Sequence, residues 1–254
     1  MSLIPKSHPR AKSLLIREKL VRGFDKGLVA KEGLLAQGRG EAFDYLLGEK
    51  TRKSAKLAIK AAAAQILLAN NPVISTNGNI AALCPKEVVN LAKETNSKIE
   101  VNLFYANGKR KRAIVKELHN NGAKEVLGTR VSSRVILSGI DSERRFVDKN
   151  GIFSADVVVV PLEDGDRTLA LRKAGKFVIT FDLNPLSRTA QTANITIVDN
   201  VTRAMNLLIE YCEKLSNKNK NTLQRIVVDF DNKKNLSNMI IEIKNNLTKR
   251  SQIA

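Results

Sequence analysis

Three stretches carry residue types that bind phosphate or nucleotide. Residues 182–189 read Asp-Leu-Asn-Pro-Leu-Ser-Arg-Thr, so Asp182, Asn184, Ser187, Arg188 and Thr189 fall close together, and Asp199-Asn200 follows a few residues on. Guanidinium pairs bidentately with phosphate, and these clusters read as half of a nucleotide or phosphate site. Residues 163–168 read Glu-Asp-Gly-Asp-Arg-Thr, with Glu163, Asp164 and Asp166 beside Arg167. Carboxylates next to cations at a phosphate site hold magnesium. A helix N-terminus, which Asp and Thr cap, explains one or two of those charges and leaves a surplus. Asn77-Gly78-Asn79 is the third stretch. A turn of this kind offers backbone N–H groups to an anion, and it reads equally as an ordinary strand-to-helix turn.

Each cluster follows an apolar run. Residues 177–181 and 195–198 are short and β-branched, 155–160 reads Ala-Asp-Val-Val-Val-Val, and 72–75 begins Pro-Val-Ile. Such runs predict buried strands, and ligands of an open parallel sheet sit outside the carboxyl ends of its strands. Helical periodicity is predicted over 10–27, 51–69, 80–93, 109–120 and 201–214, with further strands at 98–103 and 125–127. Strands alternating with helices define an α/β fold: a Rossmann-like, open, mostly parallel sheet with an N-terminal helical segment. The expected division is a helical segment over 1–70, an α/β core over 71–215 and a Lys/Asn-rich extension over 216–254. The extension holds a strand-like run at 225–230 and a helix near 236–247. Residues 130–150 have no clean period and read as an excursion, either functional or at a subunit contact.

Residues 33–40, Gly-Leu-Leu-Ala-Gln-Gly-Arg-Gly, nearly match a phosphate loop. Arg39 stands where that loop has Lys, Gly40 stands where it has a hydroxyl, and no strand precedes it, so the loop is rejected. A glycine-bracketed Arg39 remains suitable for phosphate, against the alternative of a plain helix–helix turn.

The chain has 254 residues and a net charge of +18, which raises nucleic-acid binding as an alternative function. The excess is spread along the chain, aromatics make up only 4%, and no nucleic-acid motif occurs, so a basic surface around anionic small molecules is preferred. A nucleotide-binding regulator without turnover is a second alternative. Cys84 and Cys212 have no metal-ligand spacing and read as buried thiols in a reducing cytoplasm. No run is apolar enough to span a bilayer, and the first residues lack the apolar core of a signal peptide.

In order and spacing, seven segments resemble one family. They are IPKSHPR at 4–10, GRGEAFDYLLGEKT at 38–51, PVISTNGNIAAL at 72–83, KIEVNLFY at 98–105, SADVVVVPLEDGDRT at 154–168, KFVITFDLNPLSRTA at 176–190 and ITIVDN at 195–200. The family is the archaeal 4-phosphopantoate–β-alanine ligases, or phosphopantothenate synthetases; the likeness spans about residues 1–215, with the extension outside it. The resemblance implies a cytoplasmic homodimer that joins 4-phosphopantoate and β-alanine, uses ATP and releases AMP and diphosphate through an acyl-adenylate. It places ATP contacts on Arg17, Arg39, Asp182, Leu183, Asn184, Arg188, Thr189, Asn200 and Val201. Arg39 and Arg188 are then the candidates for catalysis at the phosphates. Outside the resemblance, Asn77, Gly78 and Asn79 are candidates for substrate contact, and Glu163, Asp164 and Asp166 for Mg2+.

Overall fold

A computed structural model describes residues 4–5, 7–162 and 164–252. Three helices come first, α1 (Ala11–Asp25), α2 (Lys31–Leu47) and α3 (Lys53–Leu68). Next are β1 (Pro72–Thr76), α4 (Gly78–Leu83), α5 (Pro85–Glu94), β2 (Lys98–Val101) and α6 (Gly108–Asn120). A hairpin of β3 (Arg134–Ile136) and β4 (Phe146–Asp148) leads into β5 (Val157–Pro161), α7 (Gly165–Lys173), β6 (Phe177–Phe181), α8 (Arg188–Thr192) and β7 (Ile195–Ile197). Three helices close the chain: α9 (Val201–Leu215), α10 (Lys220–Val228) and α11 (Asn232–Ser251).

The main sheet is five-stranded in the order β2-β1-β5-β6-β7, and every pairing in it is parallel. The expected α/β architecture is therefore present. From β1 the chain moves outward to β2, then returns to the other side of β1 and builds β5, β6 and β7. The direction of winding changes between β1 and β5, so their carboxyl ends diverge and leave a crevice.

Side chains of the central strands alternate between two cores, as a strand's period of two requires. Ile74, Val157, Val159, Ile179 and Ile197 face the core made with α3, α4, α5 and α9. Val73, Val158, Val160 and Val178 face a second core closed by Leu137, Ile140, Val147 and Ile152. The aperiodic stretch 130–150 thus forms an antiparallel hairpin whose apolar residues cover one sheet face. Burial on both faces is why β5 reads as unbroken valine.

Four expectations need correction. The helix expected over 80–93 is two helices, because Pro85 has no N–H for helix continuation and instead starts α5. The strand expected at 125–127 is a single bridge from Leu127 to Glu100. Gly33, Gly38 and Gly40 lie inside α2, so there is no turn there. The run at 225–230 is helical as far as Val228, in α10, which is capped by the Asn219 side chain on the Thr222 N–H at 2.9 Å. Leu223 is buried, Ile226 and Val227 pack against the core from that helix, and Phe230 does so just past its end. A short apolar run does not by itself separate a strand from a helical face.

The extension is tied into the body of the molecule. The Glu242 carboxylate accepts from the Ser54 N–H at 3.0 Å and the Ser54 hydroxyl at 2.6 Å, at the start of α3 where an anion is favoured. Asn232 accepts from the Thr196 N–H and donates to the Ala190 and Ala193 carbonyls. Leu236 and Met239 are buried with Leu47, Ala55, Leu183 and Val198. Among the described residues, no helix is long and apolar enough to cross a membrane.

Candidate active site

A cavity of about 610 Å³ lies across the carboxyl ends of the strands. Its walls come from the inward face of α2, including Gly33, Arg39 and Gly40, and from the loops after β1, β2, β5 and β6. Four arginines reach it: Arg39, Arg110, Arg144 and Arg188.

The loop after β6 is organised by Asp182. Its carboxylate accepts from the Asn184 N–H at 2.9 Å and from the Ser187 hydroxyl. Ser187 in turn caps α8 on the Ala190 N–H at 2.9 Å. The Asn184 side chain accepts from the Leu186 N–H at 2.9 Å. Burial raises the Asp182 pKa, opposed by the Ser187 and Asn184 bonds and by the charge of Arg39. Arg39 is exposed and, among the described residues, makes no side-chain hydrogen bond or ion pair. Its helix comes close to the loop at Gly40, where an added Cβ would lie 3.4 Å from Leu183. Arg188 and Thr189 stand at the start of α8, and Arg188 pairs with Asp166 at 2.6 Å. Both partners are mostly exposed, so that pair is weakly held and able to exchange for a ligand anion.

Asn77, Gly78 and Asn79 also line the cavity, but their side chains serve the frame. Asn77 caps α4 and donates to the Pro161 and Leu162 carbonyls. A Cβ on Gly78 would sit 2.2 Å from the Leu28 carbonyl oxygen. Asn79 donates to the Gly33 carbonyl at 2.8 Å and so docks α2.

Of the carboxylates expected at a metal, Asp164 caps α7 on the Arg167 N–H at 2.8 Å and pairs with Arg144. Asp166 holds Arg188. Glu163 lies outside the described residues. Among the described residues, no group of three or more His, Cys, Asp or Glu side chains could hold a metal ion.

The other expected ATP contacts do not line this cavity. Arg17 forks onto Glu41, with both nitrogen–oxygen distances 2.7 Å, and Tyr45 also donates to that carboxylate. Asn200 caps α9 and donates to Asp44 at 2.9 Å, while Val201 is buried in the main core. Arg203 bridges Asp44 and Asp199 at 2.6 and 2.5 Å, and Thr51 donates to Asp199 at 2.6 Å. Burial raises the Asp199 pKa against the pull of Arg203 and Thr51. Glu41 and Asp44 belong to α2, so that helix carries the cavity on one face and this second polar cluster on another.

Sequence reasoning missed Arg110 and Arg144. The only signal for Arg144 was that it falls in an aperiodic excursion; Arg110 was hidden in the basic run 109–112. Beneath the cavity, Arg167 is fully buried and donates to the Ser75 hydroxyl at 3.1 Å. Burial lowers its pKa to about 10, against the charges of Glu100 and Asp164.

An open parallel sheet with a cation-lined cavity at its switch point defines a Rossmann-like α/β protein built to take an anionic ligand. Residues 54–246 match the family model of phosphopantothenate/pantothenate synthetase. Curated proteins called 4-phosphopantoate–β-alanine ligase are similar to the chain almost throughout. The Thermococcus onnurineus protein is 52% identical over 253 residues, which is 99% of this chain and 96% of that one. The Thermococcus kodakarensis protein is 52% identical over 98% of this chain and 95% of its own. The Methanosarcina mazei protein is 50% identical over 97% and 96%. The chain belongs to the phosphopantothenate/pantothenate synthetase family. The likeness includes most of the extension after 215, which sequence reading had placed outside it.

Proposed function

We propose that the chain is the ligase that joins 4-phosphopantoate and β-alanine at the expense of ATP, giving 4′-phosphopantothenate, AMP and diphosphate. The observation that carries this reading is the cavity at the β1/β5 switch point, with Arg39 uncommitted on one wall, in a chain similar over nearly its whole length to proteins of that name.

A carboxylate is a poor acyl electrophile. Attack of its oxygen on the α-phosphorus of ATP expels diphosphate and makes an acyl-adenylate. The amine of β-alanine then forms the C–N bond, loses a proton, and AMP leaves. Arg39 and Arg188 hold the phosphates as negative charge moves toward the leaving oxygens. The loop of Asp182, Leu183, Asn184 and Thr189 holds the nucleoside. A magnesium ion brought with the triphosphate would be held by one or both of Asp164, beside Arg144, and Asp166, beside Arg188. It would supply positive charge to offset that on the phosphate oxygens. In this reading the protein works as a cytoplasmic homodimer. Arg17, Asn200 and Val201 then act on the nucleotide through α2 and α9, or reach it after Arg17 exchanges Glu41 for phosphate.

The test is product analysis. Sustained AMP release is expected only when ATP, 4-phosphopantoate and β-alanine are all present. ADP in place of AMP overturns the acyl-adenylate route, and ATP binding without turnover overturns the ligase.

A further inference from the structure

We infer that the β2 side of the cavity is a phosphate-monoester subsite in which Arg110 is the principal contact and Arg144 flanks it. The inference rests on the ligase reading for the ligand's chemistry, a phosphorylated hydroxy acid. Of the cavity residues, the family resemblance assigns Arg39 and those of the loop after β6 to ATP. The β2 side is formed by Leu103, Phe104, Tyr105, Arg110 and Arg144, none of which any resemblance assigns.

Three observations converge on this side. First, Arg110 is partly buried, and burial lowers its pKa against the charge of Glu32. Its guanidinium nevertheless makes no side-chain hydrogen bond or ion pair among the described residues. A partly desolvated, uncommitted cation facing a cavity gains most from a ligand anion. Second, α6 opens with Gly108 followed by Lys109, Arg110, Lys111 and Arg112, and has no acid in its first turn. The helix dipole is already positive there, so these cations repel it unless an anion is supplied. Lys111 turns away to the Gly128 carbonyl at 2.9 Å, which leaves Arg110 as the member of the run that lines the cavity. Third, Arg144 is held rigid, paired with Asp164 and lying 5.7 Å from the centre of the Phe104 ring. Phe104 and Tyr105 meet edge to face at 4.8 Å and form an apolar wall of the cavity beside the Arg144 guanidinium.

The experiment compares 4-phosphopantoate with pantoate, which lacks only the phosphate, by calorimetric titration and by steady-state kinetics. The wild-type chain is expected to bind 4-phosphopantoate at least about tenfold more tightly than pantoate. Arg110→Ala is expected to remove most of that preference, to leave pantoate binding and the KM for ATP within about twofold, and to keep the wild-type melting temperature; Arg110→Lys is expected to restore part of it. An unchanged preference in Arg110→Ala, or an equal loss for both ligands, overturns the subsite. If the wild-type chain makes no AMP but shows the Arg110-dependent preference, the ligase reading fails and the subsite stands. If it makes AMP and the preference ignores Arg110, only the subsite fails.

Discussion

The side-chain amide of Asn77 donates to the carbonyls of Pro161 and Leu162, each at 3.1 Å, and so ties the end of β1 to the end of β5. These are the two strands between which the sheet changes winding direction. Leu162 has a left-handed backbone with φ of 53°, which costs a non-glycine residue about 1–2 kcal/mol. Its N–H bonds the Phe181 carbonyl at 3.2 Å, so the strained residue is pinned from both neighbouring strands at the cavity wall.

Asn77→Ala removes both of those bonds and the cap on Ile80. It is expected to destabilise the chain by about 2–3 kcal/mol in urea unfolding and to lower kcat without a selective change in either substrate KM. A wild-type unfolding midpoint would show that the tie is not structural.

Gly33 and Gly78 are close-approach glycines. A Cβ at Gly33 would lie 2.3 Å from the Asn79 side-chain oxygen, and one at Gly78 would meet the Leu28 backbone oxygen at 2.2 Å. Side chains can move aside and backbone cannot. Gly78→Ala is therefore expected to cost more than Gly33→Ala, at about 3 kcal/mol or above against about 1–2. The cost at Gly33 should shrink in an Asn79→Ala background, read as coupling in a double-mutant cycle.

Arg39→Ala is expected to lower AMP formation by a factor of about 100 or more while leaving the melting temperature unchanged. The two readouts separate because Arg39 makes no side-chain hydrogen bond or ion pair among the described residues. Unchanged turnover would remove Arg39 from the site.

Arg17→Ala should behave differently. Burial disfavours the charge on Glu41, but the bonds from Arg17 and Tyr45 and the charges of Arg17 and Arg10 outweigh it and hold the carboxyl below its ordinary range. Losing Arg17 strands that anion and is expected to cost about 1–2 kcal/mol, since the arginine itself is half exposed. Because the Glu41 pKa is depressed, the stabilisation is present above about pH 4.5 and fades as pH falls below it. Urea midpoints of both proteins at pH 7 and pH 3 check this; the gap should be smaller at pH 3.

Glu100 is fully buried and accepts the Asp148 and Ile152 N–H groups at 3.0 and 2.7 Å. Burial pushes its pKa up to about 7, against those two bonds and the charge of Arg167. A raised pKa means the folded chain holds a proton that the unfolded chain has lost. The stability it contributes is full below about pH 4.5 and is lost as pH rises through about 7, a change of about 3 kcal/mol. Relative to wild type, Glu100→Gln should therefore gain about that much between pH 4.5 and 8, measured by unfolding at both values. A pH-independent difference would show that Glu100 keeps one protonation state.

The valine-rich runs and their alternation with helical periodicity made the parallel sheet legible in the sequence, because β-branched runs between helices suit strands buried on both faces. That the polar clusters after β5 and β6 stand at strand ends was legible for the same reason, and residues of both line the cavity. Sequence periodicity alone left undecided the run at 225–230, where four or five apolar residues suit a strand or a helical face equally. Only packing against α3 makes it helical. Tertiary structure also decides which polar residues remain available. Asn77 and Asn79 look like ligand contacts until their amides are found spent on carbonyls, and Arg110 looks like one of a solvated run until it faces the cavity with no side-chain partner among the described residues. Which way a side chain points, and what already holds it, depends on residues distant in sequence. Arg17 and Glu41, or Asp44 and Arg203, meet only because α2 packs between α1 and the end of β7.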